Sequence, residues 1–270
     1  MREAPEARLI RLCASDLLSA FKLPRVLYPI ALAPARRFAA NLNSFDQLVG
    51  TKGIVAGGAF LLDLYSVGAT FFGREHLQAT GPMVVAANHP GMCDAMALWK
   101  GIAREDLKVM AAERELLKLL PNASSRLIIV KRGSSESLRS ASDHLSKGGA
   151  LLTFPAGGIE PDPALRTGLS DSLKTWSASL ELLVKWTPST VLIPALVSGA
   201  ISATAIKSPL IRFIKDSSER DWAGATLQIL ARRMRQNQLR VAFGAPTKGE
   251  LPEIQAAMLD LLNSSPNLLR

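Results

Sequence analysis

From about residue 82 onward, short apolar runs alternate with segments of helical character, and this alternation restricts the fold more than any other feature of the chain. The runs are Met83–Ala87, Leu107–Ala111, Leu127–Val130, Ala150–Phe154, Val191–Val197 and Leu239–Phe243. Between them lie Ala95–Ala103, Glu113–Leu120, Ser134–Ser146, Leu173–Trp186 and Asp221–Arg235, which read as helices. Strands alternating with helices predict an α/β fold, with a largely parallel mixed sheet covered by helices on both faces. A run such as Leu127-Ile128-Ile129-Val130 is apolar without alternation, as a strand covered on both faces must be.

The 270 residues suffice for one such domain plus an appendage. Residues 73–270 are expected to form the α/β domain, and residues 1–72 an N-terminal helical, membrane-associating arm. The first fifty or so residues are amphipathic in pieces, broken by Pro24, Pro29 and Pro34, with Arg and Lys flanking apolar stretches such as Leu17–Leu23. The stretch 53–72 approaches transmembrane length, but Asp63 at its middle opposes insertion by about 2.5–3.5 kcal/mol. It is expected to be a helix buried on the core or lying shallowly in the bilayer interface. Arg8, Arg11 and Asp16 interrupt any secretory signal pattern, so the expected location is the cytoplasmic side of a membrane, peripheral or shallowly inserted.

The net charge of +9 calls for an anionic partner. A membrane surface fits better than nucleic acid, because the bases are dispersed, aromatics are only 6%, and no zinc-finger or RNP-like pattern occurs. Arg232, Arg233 and Arg235 form the densest cluster, expected on a solvated helix face. The two cysteines, Cys13 and Cys93, have no metal-ligand or redox spacing and suit a reducing compartment. Cys93 reads as small apolar packing rather than a nucleophile, since the adjacent Asp94 raises a thiol pKa.

Chemistry in such a fold collects where strands end. After Met83–Ala87 comes Asn88-His89-Pro90-Gly91-Met92-Cys93-Asp94. Pro90 suits the first helical position and keeps His89 out of the helix, which puts Asp94 in the second turn. A carboxylate on one imidazole nitrogen fixes the tautomer and leaves the other nitrogen free to take a proton. Free amides at that helix start are available to a phosphate or an oxyanion. Leu127–Val130 runs into Lys131-Arg132-Gly133, a cation where a phosphate can be held. Ala150–Phe154 runs into Pro155-Ala156-Gly157-Gly158-Ile159-Glu160-Pro161, whose glycines permit either a tight turn or close approach of backbone to a ligand.

Taken in order, these residues resemble the glycerophospholipid acyltransferase family. Asn88-His89 through Asp94 is similar to its Asn-His-x-x-x-x-Asp block, and Ile128-Ile129-Val130-Lys131-Arg132 to its second block, an apolar strand closed by arginine. Phe154-Pro155-Ala156-Gly157 is similar to Phe-Pro-Glu-Gly, Val191–Ala195 to an apolar strand with central proline, and Gly73-Arg74-Glu75-His76-Leu77 to the Gly-x-Glu-x-Leu lead-in. The resemblance covers about residues 70–200.

It implies a transferase that moves a fatty acyl group from acyl-CoA or acyl carrier protein, as co-substrate, to the hydroxyl of a lysophospholipid-type acceptor. His89 is then the general base and Asp94 its orienting partner, with neither a metal nor an acyl-enzyme. Substrate contacts are expected at Asn88, Arg132, Phe154, Pro155, Gly157, Gly158, Glu160, Arg166 and Pro194. The third block departs from the family: Ala156 stands where glutamate is usual, and Gly158-Ile159-Glu160 where an arginine is normally supplied. This leaves Arg132 as phosphate ligand with Arg166 as substitute, and weakens lysophosphatidic acid as the acceptor. Glu160 replaces the missing carboxylate only through a rearranged loop. Two rival readings remain, a lipid or thioester hydrolase and a non-catalytic lipid-binding member of the same fold. The absence of a Gly-x-Ser-x-Gly elbow disfavours the first, and the retained His89 and Asp94 the second.

Overall fold

The computed structural model describes residues 3–131 and 135–264. Seven strands form one sheet in the order β1-β7-β6-β2-β5-β3-β4. They are β1 (Gly68–Phe72), β2 (Met83–Ala87), β3 (Lys108–Ala112), β4 (Leu127–Val130), β5 (Ala150–Thr153), β6 (Val191–Ser198) and β7 (Gln238–Phe243). Every pairing is parallel except β6 with β7, so the sheet is mixed and mostly parallel, as the sequence predicts.

The apolar runs split between two cores because side chains alternate across a strand. Met83, Val85 and Ala87 of β2, with Ile193, Ala195 and Val197 of β6, join one core. Val84 and Ala86, with Leu192 and Leu196, join the other. The first core is closed by α1 (Pro5–Ala20), α2 (Tyr28–Tyr65) and α3 (Met92–Ile102). The second is closed by α5 (Glu136–Ser146), α6 (Leu169–Leu173), α7 (Ser179–Trp186) and α10 (Leu251–Ser264). The four-residue helices α4 (Pro121–Ser124) and α8 (Ala203–Ile206) fill connections, and α9 (Ser217–Leu230) lies beside α1 and α2.

The N-terminal helices pack onto the sheet layer. α1 starts with Pro5 in its first turn and buries Leu9, Cys13 and Leu17, one face at four-residue spacing. In α2, Gly58 lets the backbone approach α3 so closely that a Cβ there would sit 2.9 Å from Trp99. Phe45 stacks on the Trp99 ring at 5.8 Å between centroids. Gly53, with φ +87°, breaks α2 within its length, a conformation glycine adopts without strain. Arg25–Tyr65 is long and apolar enough to cross a membrane by length and composition, with 39% of its most apolar window buried.

Several elements differ from expectation for local reasons. The stretch 53–72 is not one helix: α2 ends at Tyr65, and Gly68–Phe72 pairs with β7, where aromatic and β-branched residues fit a half-covered edge strand. Glu113–Leu120 yields only a 3-10 turn at Leu117–Leu119, and the helix expected over Leu173–Trp186 starts at Ser179. α9 starts earlier than Asp221, because the Asp216 carboxylate accepts the Glu219 N–H at 2.9 Å and caps it. It stops at Leu230, so Arg232 and Arg233 sit in a 3-10 turn. Arg235 is not solvated but half-buried: it donates to the carbonyls of Leu64, Gln228 and Ile229 and lies over the Tyr65 ring.

The Gly73-Arg74-Glu75-His76-Leu77 segment locks β1 to β7. Gly73 has φ +70°, a Cβ on it would fall 2.0 Å from the Phe243 carbonyl oxygen, and the His76 Nδ1–H donates to that oxygen at 2.9 Å. Gly73→Ala is therefore expected to lower unfolding free energy by about 1–3 kcal/mol through backbone strain, with added cost from the clash. Urea denaturation compared with Gly81→Ala, whose added Cβ meets only the end of Gln78 at 3.6 Å, checks the contribution of the clash.

Candidate active site

The parallel neighbours β5, β2 and β6 end side by side, and their C-terminal exits form the site. Asn88, fully buried, continues the β2–β6 pairing with its side chain: Nδ2 donates to the Val197 carbonyl at 2.9 Å and Oδ1 accepts the Val197 N–H at 2.7 Å. An amide reproduces both halves of a peptide group, so Asn88 pins the strand exit from which His89 projects. Its role in the fold is that of a clamp on β6.

Helix α3 begins at Met92, two residues later than Pro90 suggests. Gly91 is the N-cap and Asp94 the third helical residue, in the first turn rather than the second. The Asp94 carboxylate explains this: it accepts the N–H of Gly91 at 2.9 Å and of Ala95 at 2.5 Å, capping the helix with its own side chain. Its Oδ2 also accepts the His89 Nδ1–H at 2.8 Å. Two of the helix-start amides are thus occupied by Asp94. Its side chain is fully buried, whereas that of His89 is 27% exposed. Among the described residues, His89 Nε2 has no hydrogen-bond partner, which leaves the basic nitrogen facing outward.

Burial by itself lowers the His89 pKa, but the charge and hydrogen bond of Asp94, aided by the Glu160 charge, outweigh it. The net is a pKa above the ordinary histidine value, with Arg114 pulling the other way. Phe154 stacks on the imidazole at 4.4 Å between centroids, closing one ring face. Cys93 is buried behind the site, its thiol pushed up to about 12 by burial and by Asp94, in keeping with packing rather than nucleophilic chemistry.

The altered third block folds back onto the histidine. Gly157 turns with φ +67°, its N–H donating to the Phe154 carbonyl at 3.0 Å, so a tight turn accounts for it. Open space surrounds Gly158. The buried Pro155 carbonyl accepts the Ser177 N–H at 3.0 Å. Glu160 then pairs with His89 along the main chain: its N–H donates to the His89 carbonyl at 2.9 Å, and its Oε2 accepts the His89 N–H at 3.0 Å. Oε1 accepts from Ser172 Oγ at 2.8 Å and Trp176 Nε1 at 3.0 Å. Burial raises the Glu160 pKa against these hydrogen bonds. A carboxylate of the third block, Glu160, is thus bonded to the main chain of the histidine loop.

Asp162, passed over in the sequence, fastens the same loop to the end of β6. It is fully buried and accepts the N–H groups of Gly199, Ile201 and Ala164 at 2.9, 3.1 and 3.0 Å. Its place between Pro161 and Pro163, two residues past Glu160, was the available signal. Arg114 was missed too, although it follows a strand exit as Arg132 does. Its guanidinium lies over the Trp222 ring at 5.8 Å and within electrostatic reach of His89.

The remaining expected residues fall as follows. Arg166 is held by the buried Asp221 carboxylate and by Ser217 Oγ, which commits its guanidinium to α9. Pro194 lies inside β6 opposite Ala86, just past the β6–β7 ladder, where its missing N–H removes no rung. Arg132, with Gly133 and Ser134, lies outside the described residues.

With this geometry in place, residues 69–198, from β1 to the end of β6, match the family model described as Acyltransferase. That stretch, just under half of the chain, is similar to an acyltransferase domain of that family. The matched stretch therefore contains the His89–Asp94 pair, Phe154 and the Glu160 loop, while α1, α2, α9, β7 and α10 lie outside it. No curated protein matches the chain. Among solved structures it is similar to the 1-acyl-sn-glycerophosphate (LPA) acyltransferase PlsC from Thermotoga maritima. That alignment covers 97% of this chain and 90% of the other at 15% identity, with a TM-score of 0.47.

Since a general base must be neutral to act, activity is expected to rise with pH through a His89 pKa above the usual histidine range. Asp94→Asn removes the charge that raises it, so the acid limb should move to lower pH while turnover falls roughly 100- to 10,000-fold. Arg114→Ala removes an opposing charge and should move the limb slightly upward. A pH–rate profile of the three proteins checks both signs.

Proposed function

We propose that the protein is a glycerolipid O-acyltransferase, moving a fatty acyl group from acyl-CoA or acyl carrier protein to the hydroxyl of a lysophospholipid-type acceptor. The observation that carries this reading is the pairing of His89 Nδ1–H with buried Asp94 at 2.8 Å, with the His89 side chain still 27% exposed, inside the stretch that matches the acyltransferase family. In this mechanism His89 Nε2 takes the acceptor hydroxyl proton as the oxygen attacks the thioester carbonyl. Asp94 steadies the resulting imidazolium and holds the ring's orientation. Collapse of the tetrahedral intermediate breaks the C–S bond, and the imidazolium proton passes to the departing thiolate. Phe154 and the Glu160 loop keep the imidazole from swinging away from its attack position.

The acceptor's anionic group falls to Arg132 on the family resemblance, because Arg166 is already neutralised by Asp221. The long apolar N-terminal helix supports association with a membrane, where such an acceptor resides. We assign the protein to the cytoplasmic side, peripheral or shallowly inserted. The anionic bilayer surface is then the partner that its net charge of +9 addresses.

The test is incubation of the purified chain with labelled acyl-CoA or acyl carrier protein and a panel of lysolipids. Label is expected in a diacyl lipid, and His89→Ala should reduce it by on the order of 1,000-fold or more, with a circular dichroism melt verifying that the variant is folded. Label only in free fatty acid would assign the site to hydrolysis. Turnover untouched by His89→Ala would remove His89 as the base.

A further inference from the structure

A groove of about 320 Å³ opens between the end of α1, the start of α2, the 207–215 loop and the C-terminal half of α9. Its walls are apolar, with Leu18, Phe21, Leu27, Leu210, Leu227 and Leu230 among them. Large apolar side chains stand exposed on and around it: Ile30 at 72%, Leu210 at 69%, Phe213 at 75% and Val26 at 78%. These four come from two chain segments nearly two hundred residues apart, which the fold brings to one groove. Contiguous apolar exposure of this kind marks an interaction site rather than ordinary surface.

Charge distinguishes what the face meets. Residues 20–37, 203–215 and 229–235, which supply most of its walls, contain ten basic residues and no acidic one, with Asp16 and Asp216 at their borders. The whole chain has a net charge of +9, so the remainder of the sequence carries −1. Arg25, Arg36, Arg37, Lys207, Arg212, Lys215, Arg232 and Arg233 are exposed, whereas Lys22 is paired with Glu219 at 2.5 Å and Arg235 is drawn inward. Arg212 lies over the Phe213 ring at 4.9 Å, pairing an apolar tip with a cation. Exposed apolar tips surrounded by bases suit a layer of anionic headgroups over hydrocarbon.

We propose that this composite face seats the protein on an anionic lipid bilayer, with Val26, Ile30, Leu210 and Phe213 entering the acyl layer and the surrounding bases meeting the headgroups. The 207–215 loop is then a second membrane contact, beyond the N-terminal arm. The inference extends the membrane aspect of the acyl-transfer reading and draws from that reading only the bilayer as the place of work.

The experiment is sedimentation of the full chain with vesicles of phosphatidylcholine alone and with vesicles of equal parts phosphatidylcholine and phosphatidylglycerol. The unmodified protein should prefer the mixed vesicles, and added salt should weaken binding as it screens the charges. Leu210→Ser with Phe213→Ser, and separately Arg212→Glu with Lys215→Glu, should each cut partitioning by on the order of tenfold or more. Leu182→Ser with Lys147→Glu, the same types of change on the opposite helical layer, should leave it unchanged. Circular dichroism melts verify that every variant is folded.

Equal binding by all variants, equal loss in the opposite-layer control, or indifference to phosphatidylglycerol would overturn the proposal. So would a dimer that Phe213→Ser converts to monomer without altering vesicle binding, because the face would then serve a second copy of the chain. Binding is read without substrate. A protein that seats on vesicles by this face yet acylates no acceptor keeps the docking face and removes the acyl-transfer reading. One that acylates acceptors while binding vesicles indifferently to these substitutions does the reverse.

Discussion

One buried carboxylate holds together the strand exit, the helix start and the base. Asp94 satisfies the amides of Gly91 and Ala95 while its Oδ2 also receives His89 Nδ1–H. A charged acceptor without solvent is tolerable only when its lone pairs are used, and here they are used by groups that must be fixed anyway. Capping α3 and fixing the imidazole tautomer are therefore the same interaction. The five-residue spacing from His89 to Asp94 follows from it, since the histidine must lie before the N-cap and the carboxylate at the third helical position.

Around that pair the chain builds a frame from main-chain hydrogen bonds rather than from side-chain packing alone. Asn88 ties β2 to Val197, Asp162 ties the third block to Gly199 and Ile201, and Glu160 ties it to both sides of the His89 peptide. Three polar side chains, nearly or fully buried, thus anchor the ends of the three adjoining strands β2, β5 and β6. Groups of this kind are expensive to leave unpaired, so each anchor also selects one arrangement of the loops. Within this frame Gly157 turns the chain after Phe154, and Glu160 reaches the His89 loop.

Much of the architecture was legible before any coordinates. Six of the seven strands follow apolar runs, and the central β2, β5 and β6 carry no charged position because both their faces are covered. β1 was missed for the opposite reason: Gly68–Phe72 is a half-covered edge strand that continues an apolar helix without a compositional break. Helix limits were read less well where a cap acts from outside the periodic pattern, as Asp216 does for α9. In the site, His89, Asp94 and Asn88 stood out because they follow one another at one strand exit. Asp162 and Arg114 did not, since their partners Gly199, Ile201 and Trp222 lie far along the chain.

The sequence by itself determined the layered α/β class and the pairing of His89 with Asp94, both of which rest on local spacing. Tertiary structure decided what each remaining polar group does. Arg166 is neutralised by Asp221 fifty-five positions on, Glu160 serves the His89 main chain, and Arg235 turns inward while its neighbours stay out. Folding also gathers Val26, Ile30, Leu210 and Phe213 around one groove. The physical reason is common to all of these: a charge or an apolar side chain acquires its role from what it is brought against, and contact across long sequence separation leaves no periodicity in the sequence to read.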